Sequence, residues 1–129
     1  MFRWLTLFAA VSLLAVSSRE AQAADAKSPP LRHVVLFKFK PEVTKAQVAE
    51  VVEAFAALPK KIEAITAFEW GTDVSVEMKA AGFTHAFVVT FADAKGRDVY
   101  LPHPAHAEFV KLVGPRLENV LVFDFVAGK

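Results

Sequence analysis

The sequence predicts an α+β domain in the order β-α-β-β-α-β, a split βαβ arrangement with an antiparallel four-stranded sheet and its helices on one face. Three observations carry this. Four short runs of β-branched and aromatic residues alternate with two segments of helical spacing. A helix separates the first pair of runs and another separates the last pair, whereas only a polar connection joins the middle two. The chain has no cysteine, so burial of apolar surface, with ten of the twelve phenylalanines beyond residue 23, must hold the domain together.

The first residues read as an export signal. Arg3 supplies a positive start, Trp4 to Val16 is an apolar run broken only by Thr6 and Ser12, and Ala21-Gln22-Ala23 is a small-x-small cleavage site. Thirteen residues fall short of the roughly 20 that span a bilayer. Residues 1–23 are therefore expected to be removed and the protein to be periplasmic or secreted. The 15 basic and 14 acidic residues then fall to 13 of each, because Arg3, Arg19 and Glu20 leave with the signal. A neutral balance points to neither nucleic acid nor an anionic membrane as partner. The 106 residues that remain suit one domain. Residues 24–30 read as a flexible leader and 31–129 as the domain.

Within the domain, His33 to Phe39 is the first strand, ending before Pro41. Thr44 and Gln47 form a capping box with Val43 and Val48 as its hydrophobic staple, and Val51, Val52, Phe55 and Leu58 follow at helical spacing. That helix is expected to stop near Pro59. Ala64 to Trp70 is the second strand, ended by Gly71; residues 72–82 connect to the third, Thr84 to Phe91. Asp93 caps a short helical turn through Tyr100. A proline corner interrupts it, and a helix runs from Pro104 to Val113 with Ala105, Phe109, Leu112 and Val113 inward, closed by Gly114-Pro115. Val120 to Val126 is the last strand.

Both sheet faces are apolar: Val35, Phe37 and Phe39 oppose Val34 and Leu36, while Leu121, Phe123 and Phe125 oppose Val120 and Val122. Helices on one side leave the other exposed, and soluble monomers rarely expose so large an apolar patch. A symmetric homodimer, sheet against sheet, is the simplest cover. Whether Val34 or Val35 meets the partner is open at this point.

The stretch richest in chemistry is Tyr100-Leu101-Pro102-His103-Pro104-Ala105-His106. It puts a phenol and two imidazoles within seven residues, and each proline pushes the residue before it toward extended backbone, so Leu101 and His103 are both expected to be extended. His103 is placed to cap the next helix. His106 lies on its first turn, where the positive helix end favours neutral imidazole, a proton acceptor at pH 7. Tyr100 and His106 are thus the candidate acid/base pair: the histidine removes a C–H proton beside a carbonyl, and the hydroxyl donates to the oxygen that becomes an enolate. The competing reading is architectural, with a buried phenol ring and His106 bonded to a strand carbonyl.

His33 shares a face with Val35 and Phe37, either as a strand-end histidine bonded to backbone or as a polar contact in a pocket that these three would line. His103 is foremost a helix cap that can orient its neighbours, and it is counted with His33, Val35 and Phe37 among the candidate substrate-binding residues. His85 and Trp70 are expected to serve packing. No metal is expected, since the corner holds no carboxylate and Asp98 and Glu108 are placed toward solvent.

The chain resembles the stress-responsive dimeric α/β barrel (Dabb) family over residues 32–126. The resemblance rests on His33-Val-Val-Leu-Phe-Lys-Phe39, Glu69-Trp70-Gly71 with Ser75 and Glu77, Thr84-His85, Tyr100 to His106 with Phe109, and Phe123-Asp124-Phe125. It implies a ferredoxin-like protomer, a homodimeric α/β barrel and a cavity between each sheet and its helices. The family includes a plant polyketide cyclase that works by aldol chemistry without metal or organic cofactor. Its catalytic tyrosine and histidine match Tyr100 and His106, and a pocket histidine matches His33. The functional expectation is an exported dimer binding a small apolar carbonyl compound, with cofactor-independent cyclase- or lyase-like chemistry by Tyr100 and His106. The alternative is a non-catalytic stress-protective or ligand-binding dimer.

Overall fold

The computed structural model describes residues 28–129; the expected signal and cleavage site lie outside the described residues. Strands β1 (Leu31–Phe39), β2 (Ile65–Thr72), β3 (His85–Phe91) and β4 (Leu117–Val126) form one antiparallel sheet in the order β2-β3-β1-β4. Helix α1 (Lys45–Lys61) crosses from β1 to β2, and α2 (Ala94–Tyr100) and α3 (Pro104–Val113) cross from β3 to β4. This is the ferredoxin-like α+β fold, its second crossover divided into two helices by the proline corner.

The register sorts the two faces. His33, Val35 and Phe37 pair with Asp124, Val122 and Val120 on one side and with Val89, Phe87 and His85 on the other. These side chains share the face under the helices, where Val35, Phe37, Phe87 and Val89 are buried against Val51, Phe55 and Leu58 of α1 and Phe109 and Val113 of α3. Phe55 sits at the centre, its ring 4.5 Å from both Phe87 and Phe109. Val34, Leu36, Leu121, Phe123 and Phe125 alternate onto the opposite face, which no described element covers.

Four expectations are corrected. Helix α1 runs through Pro59 to Lys61: Leu58 and Ile62 are both buried, and the Ile62 N–H bonds to the Leu58 carbonyl at 2.9 Å, so packing carries the helix past the proline. Gly71 does not end β2, because Gly71 and Thr72 pair with Ala86 and His85 of a β3 that continues beside them. Strand β1 begins two residues early, at Leu31, which is buried between Phe91 and Val126. Strand β4 begins at Leu117, paired with Phe39 through a bulge; before it Arg116 bonds to the Gln47 carbonyl at 2.7 Å and to Glu50 at 2.8 Å, tying the strand's start to α1. The capping box at Thr44 and Gln47, the Asp93 cap and the bounds of α3 are as the sequence predicts.

Candidate functional site

A cavity of about 340 Å³ lies between the inner face of the sheet and α3. Its lining is apolar apart from one end, where His33 of β1, Tyr100 of α2 and His106 of α3 come together. Val35 and Phe37 line it, joined by Phe55, Leu101, Phe109, Val110 and Val113. Strand β4 is at the sheet edge, and its Val120 and Val122, 46% and 56% exposed, form the open side.

Tyr100 is brought inward by close approach of α2 to the sheet. A Cβ at Gly96 would stand 3.1 Å from the Phe91 Cβ, so glycine is what lets the helix lie so near β3. The phenol ring is 1% exposed and packs against Phe91 at 5.1 Å, His33 at 5.7 Å and His106 at 4.4 Å between ring centroids. No hydrogen bond among the described residues holds its hydroxyl, yet no buried side-chain polar atom among them lacks a partner. Tyr100 is one of the residues that line the cavity. Burial pushes the phenol up, so it stays a donor through the neutral range.

In the corner itself His103 is extended and Leu101 is not. Leu101 stays in the helical region at φ −57°, ψ −46°, with its N–H on the Arg97 carbonyl at 3.0 Å. Completing the turn that buries Tyr100 overrides the bias imposed by Pro102. His103 caps α3, its Nδ1 accepting from the Ala105 N–H at 3.0 Å, and it is not among the cavity-lining residues. His106 donates Nδ1–H to the Leu101 carbonyl at 2.9 Å, within the corner rather than to a strand. Neutral imidazole carries one N–H, so its Nε2 keeps a lone pair. Burial, then the proximity of His33, holds the His106 imidazole below its ordinary value, against the opposing pull of the Leu101 carbonyl. The neutral form expected from the helix end is thus favoured mainly by desolvation.

Sequence reasoning missed two residues. Asp124 Oδ1 takes the Nδ1–H of His33 at 2.6 Å, and its Oδ2 takes an Nη1–H of Arg97 at 3.2 Å. The available signal was a lone carboxylate inside the apolar run from Val120 to Val126, in phase with Val120 and Val122. Asp98 and Glu108 are exposed, as predicted. Among the described residues no three His, Cys, Asp or Glu side chains gather as a metal-binding group. His85 packs edge-on to Phe39 at 5.3 Å and parallel to Trp70 at 6.3 Å.

The two imidazoles held down by burial, His85 and His106, give a pH dependence. Each binds a proton more readily in the unfolded chain, so stability is full above the ordinary value of 6.5 and declines as pH falls below it. Melting temperature from pH 8 to pH 5 is expected to fall below pH 6.5, less steeply in His106→Gln; a flat or rising profile counts against it.

A family model described as the stress responsive A/B barrel domain matches residues 31–127. The chain is 40% identical over 96 residues to the stress-response A/B barrel domain-containing protein HS1 of Arabidopsis thaliana, covering 74% of this chain and 88% of that one. It is 34% identical over 99 residues to olivetolic acid cyclase of Cannabis sativa, covering 77% and 98% respectively. Among solved structures it is similar to hydroxynitrile lyase from Passiflora edulis, with TM-score 0.75, 26% identity and coverage of 79% and 96%. A dimeric ferredoxin-like protein of unknown function from Thermobifida fusca superposes with TM-score 0.66 at 26% identity, covering 78% and 92%.

Proposed function

The chain belongs to the stress-responsive A/B barrel domain family, and on that premise we propose that it is an exported homodimer whose cavity binds a small, largely apolar carbonyl compound and promotes proton transfer beside the carbonyl. The observation that carries this is the one polar end of an apolar cavity: Tyr100 and His106 line the same space with ring centroids 4.4 Å apart, next to His33. Apolar lining removes water from the bound compound and strengthens hydrogen bonds made there.

In the reaction, His106 Nε2 takes the proton from the carbon next to the carbonyl. The C–H electron pair forms the C=C bond while the carbonyl π pair moves onto oxygen, where the Tyr100 O–H donates a hydrogen bond to the growing charge. The enolate then attacks an electrophile or recovers the proton. Similarity to proteins named as a cyclase and a lyase supports this class of chemistry. The uncovered apolar face and the dimeric neighbour support the homodimer, and the reading of residues 1–23 supports export.

The chain from Ala24 onward, placed in D₂O with 2-nonanone, tests the reading by mass spectrometry of the ketone. Saturable deuterium uptake at the carbons beside the carbonyl, above the buffer rate, is expected. Binding without exchange would reduce the protein to the non-catalytic ligand-binding alternative, and neither binding nor exchange would overturn the carbonyl-cavity reading.

A further inference from the structure

Two charged residues outside the acid/base pair are joined to the cavity by an unbroken hydrogen-bonded path. Arg97 and Tyr100 are three apart on α2 and so lie on one side of it. Arg97 reaches Asp124 Oδ2 at 3.2 Å; Asp124 Oδ1 takes His33 at 2.6 Å; His33 is only 5% exposed. The remaining ring nitrogen of His33, Nε2, has no hydrogen-bond partner among the described residues, and His33 lines the cavity.

We infer that Arg97 is a positioning residue, which through Asp124 commits His33 to presenting Nε2 to the cavity as a hydrogen-bond acceptor. Each carboxylate oxygen of Asp124 has its own donor, which fixes the carboxylate plane. A carboxylate only accepts, so His33 must place its proton on Nδ1. Arg97 Nη1 sets a positive charge beside the Asp124 carboxylate, while its Nε and Nη2 bond the exposed Asp98 at 3.3 and 3.4 Å. Without Arg97, a carboxylate three-quarters buried would face His33 alone, and the arrangement that cancels its charge is imidazolium, whose Nε2–H donates instead. Arg97 thus decides whether this corner accepts or donates toward a ligand. The other groups around His33 are Phe91 from β3, Tyr100 from α2 and His106 from α3, none of which carries the compensating positive charge in its neutral form.

The inference deepens the carbonyl-cavity reading and rests on it for its use, but its test needs no ligand. Nitrogen-15 correlation spectra of the histidine rings at pH 7.5, on the ¹⁵N-labelled full domain, distinguish the two tautomers and imidazolium. The parent is expected to show His33 protonated at Nδ1 with a bare Nε2. Arg97→Gln is expected to lose the bare-Nε2 resonance in favour of the doubly protonated pattern, and Arg97→Lys to restore it. Arg97→Met, which keeps alkyl packing, replaces Arg97→Gln should that chain not fold. A role confined to anchoring α2 would leave the His33 pattern unchanged in a folded variant. That outcome, or a parent His33 protonated at Nε2, overturns the inference while leaving deuterium exchange by Tyr100 and His106 intact.

Discussion

Val34→Glu is expected to split the dimer and leave a folded protomer, whereas Val35→Glu is expected to unfold the chain. The two residues are adjacent, and alternation along β1 sends them to opposite faces. Val35 is 5% exposed in the core beneath the helices, where an unpaired carboxylate costs several kcal/mol with no partner in reach, a large fraction of a small domain's total stability. Val34 faces away from that core, paired with Phe123, which is 61% exposed and stands beside Phe125. A charge there leaves the protomer's own core untouched and is desolvated only when a second sheet packs on it. A penalty of about 3 kcal/mol or more in the interface weakens association by ~10²-fold or beyond. Light scattering with circular dichroism on both variants separates the outcomes. A folded, monomeric parent would remove the dimer from the account.

His106→Ala is expected to lower turnover by ~10²–10⁴-fold and Tyr100→Phe by ~10²–10³-fold, with ligand affinity close to the parent's. The two substitutions separate chemistry from architecture. Tyr100→Phe keeps the ring that packs between Phe91, His33 and His106 and removes only a hydroxyl with no hydrogen bond among the described residues, so little stability should be lost. His106→Ala also removes the bond to the Leu101 carbonyl, so a modest drop in melting temperature should accompany its loss of turnover. Deuterium exchange into 2-nonanone and thermal melts on the same preparations provide both readouts. Stability lost in proportion to ligand binding, with no exchange in the parent, would make the corner a structural brace and end the enzyme reading.

What the sequence determined by itself is what local chemistry controls. Alternation in β1 and β4, the capping box at Thr44 and Gln47, the Asp93 cap and the Pro104 start of α3 are each set by residues within a few positions of one another, and the structure has them. The six-residue separation of Tyr100 and His106 made their meeting legible for the same reason. Tertiary structure decided the rest. Pro59 stays helical because Leu58 and Ile62 are buried; Gly71 stays in β2 because β3 runs on beside it; Leu101 stays helical because Tyr100 must be inside. In each case packing outweighs a local bias of a few kcal/mol or less. The path from Arg97 through Asp124 to His33 joins side chains 27 and 91 residues apart. No local pattern encodes that pairing, because only the β1–β4 register, set by burial of whole strand faces, puts Asp124 opposite His33.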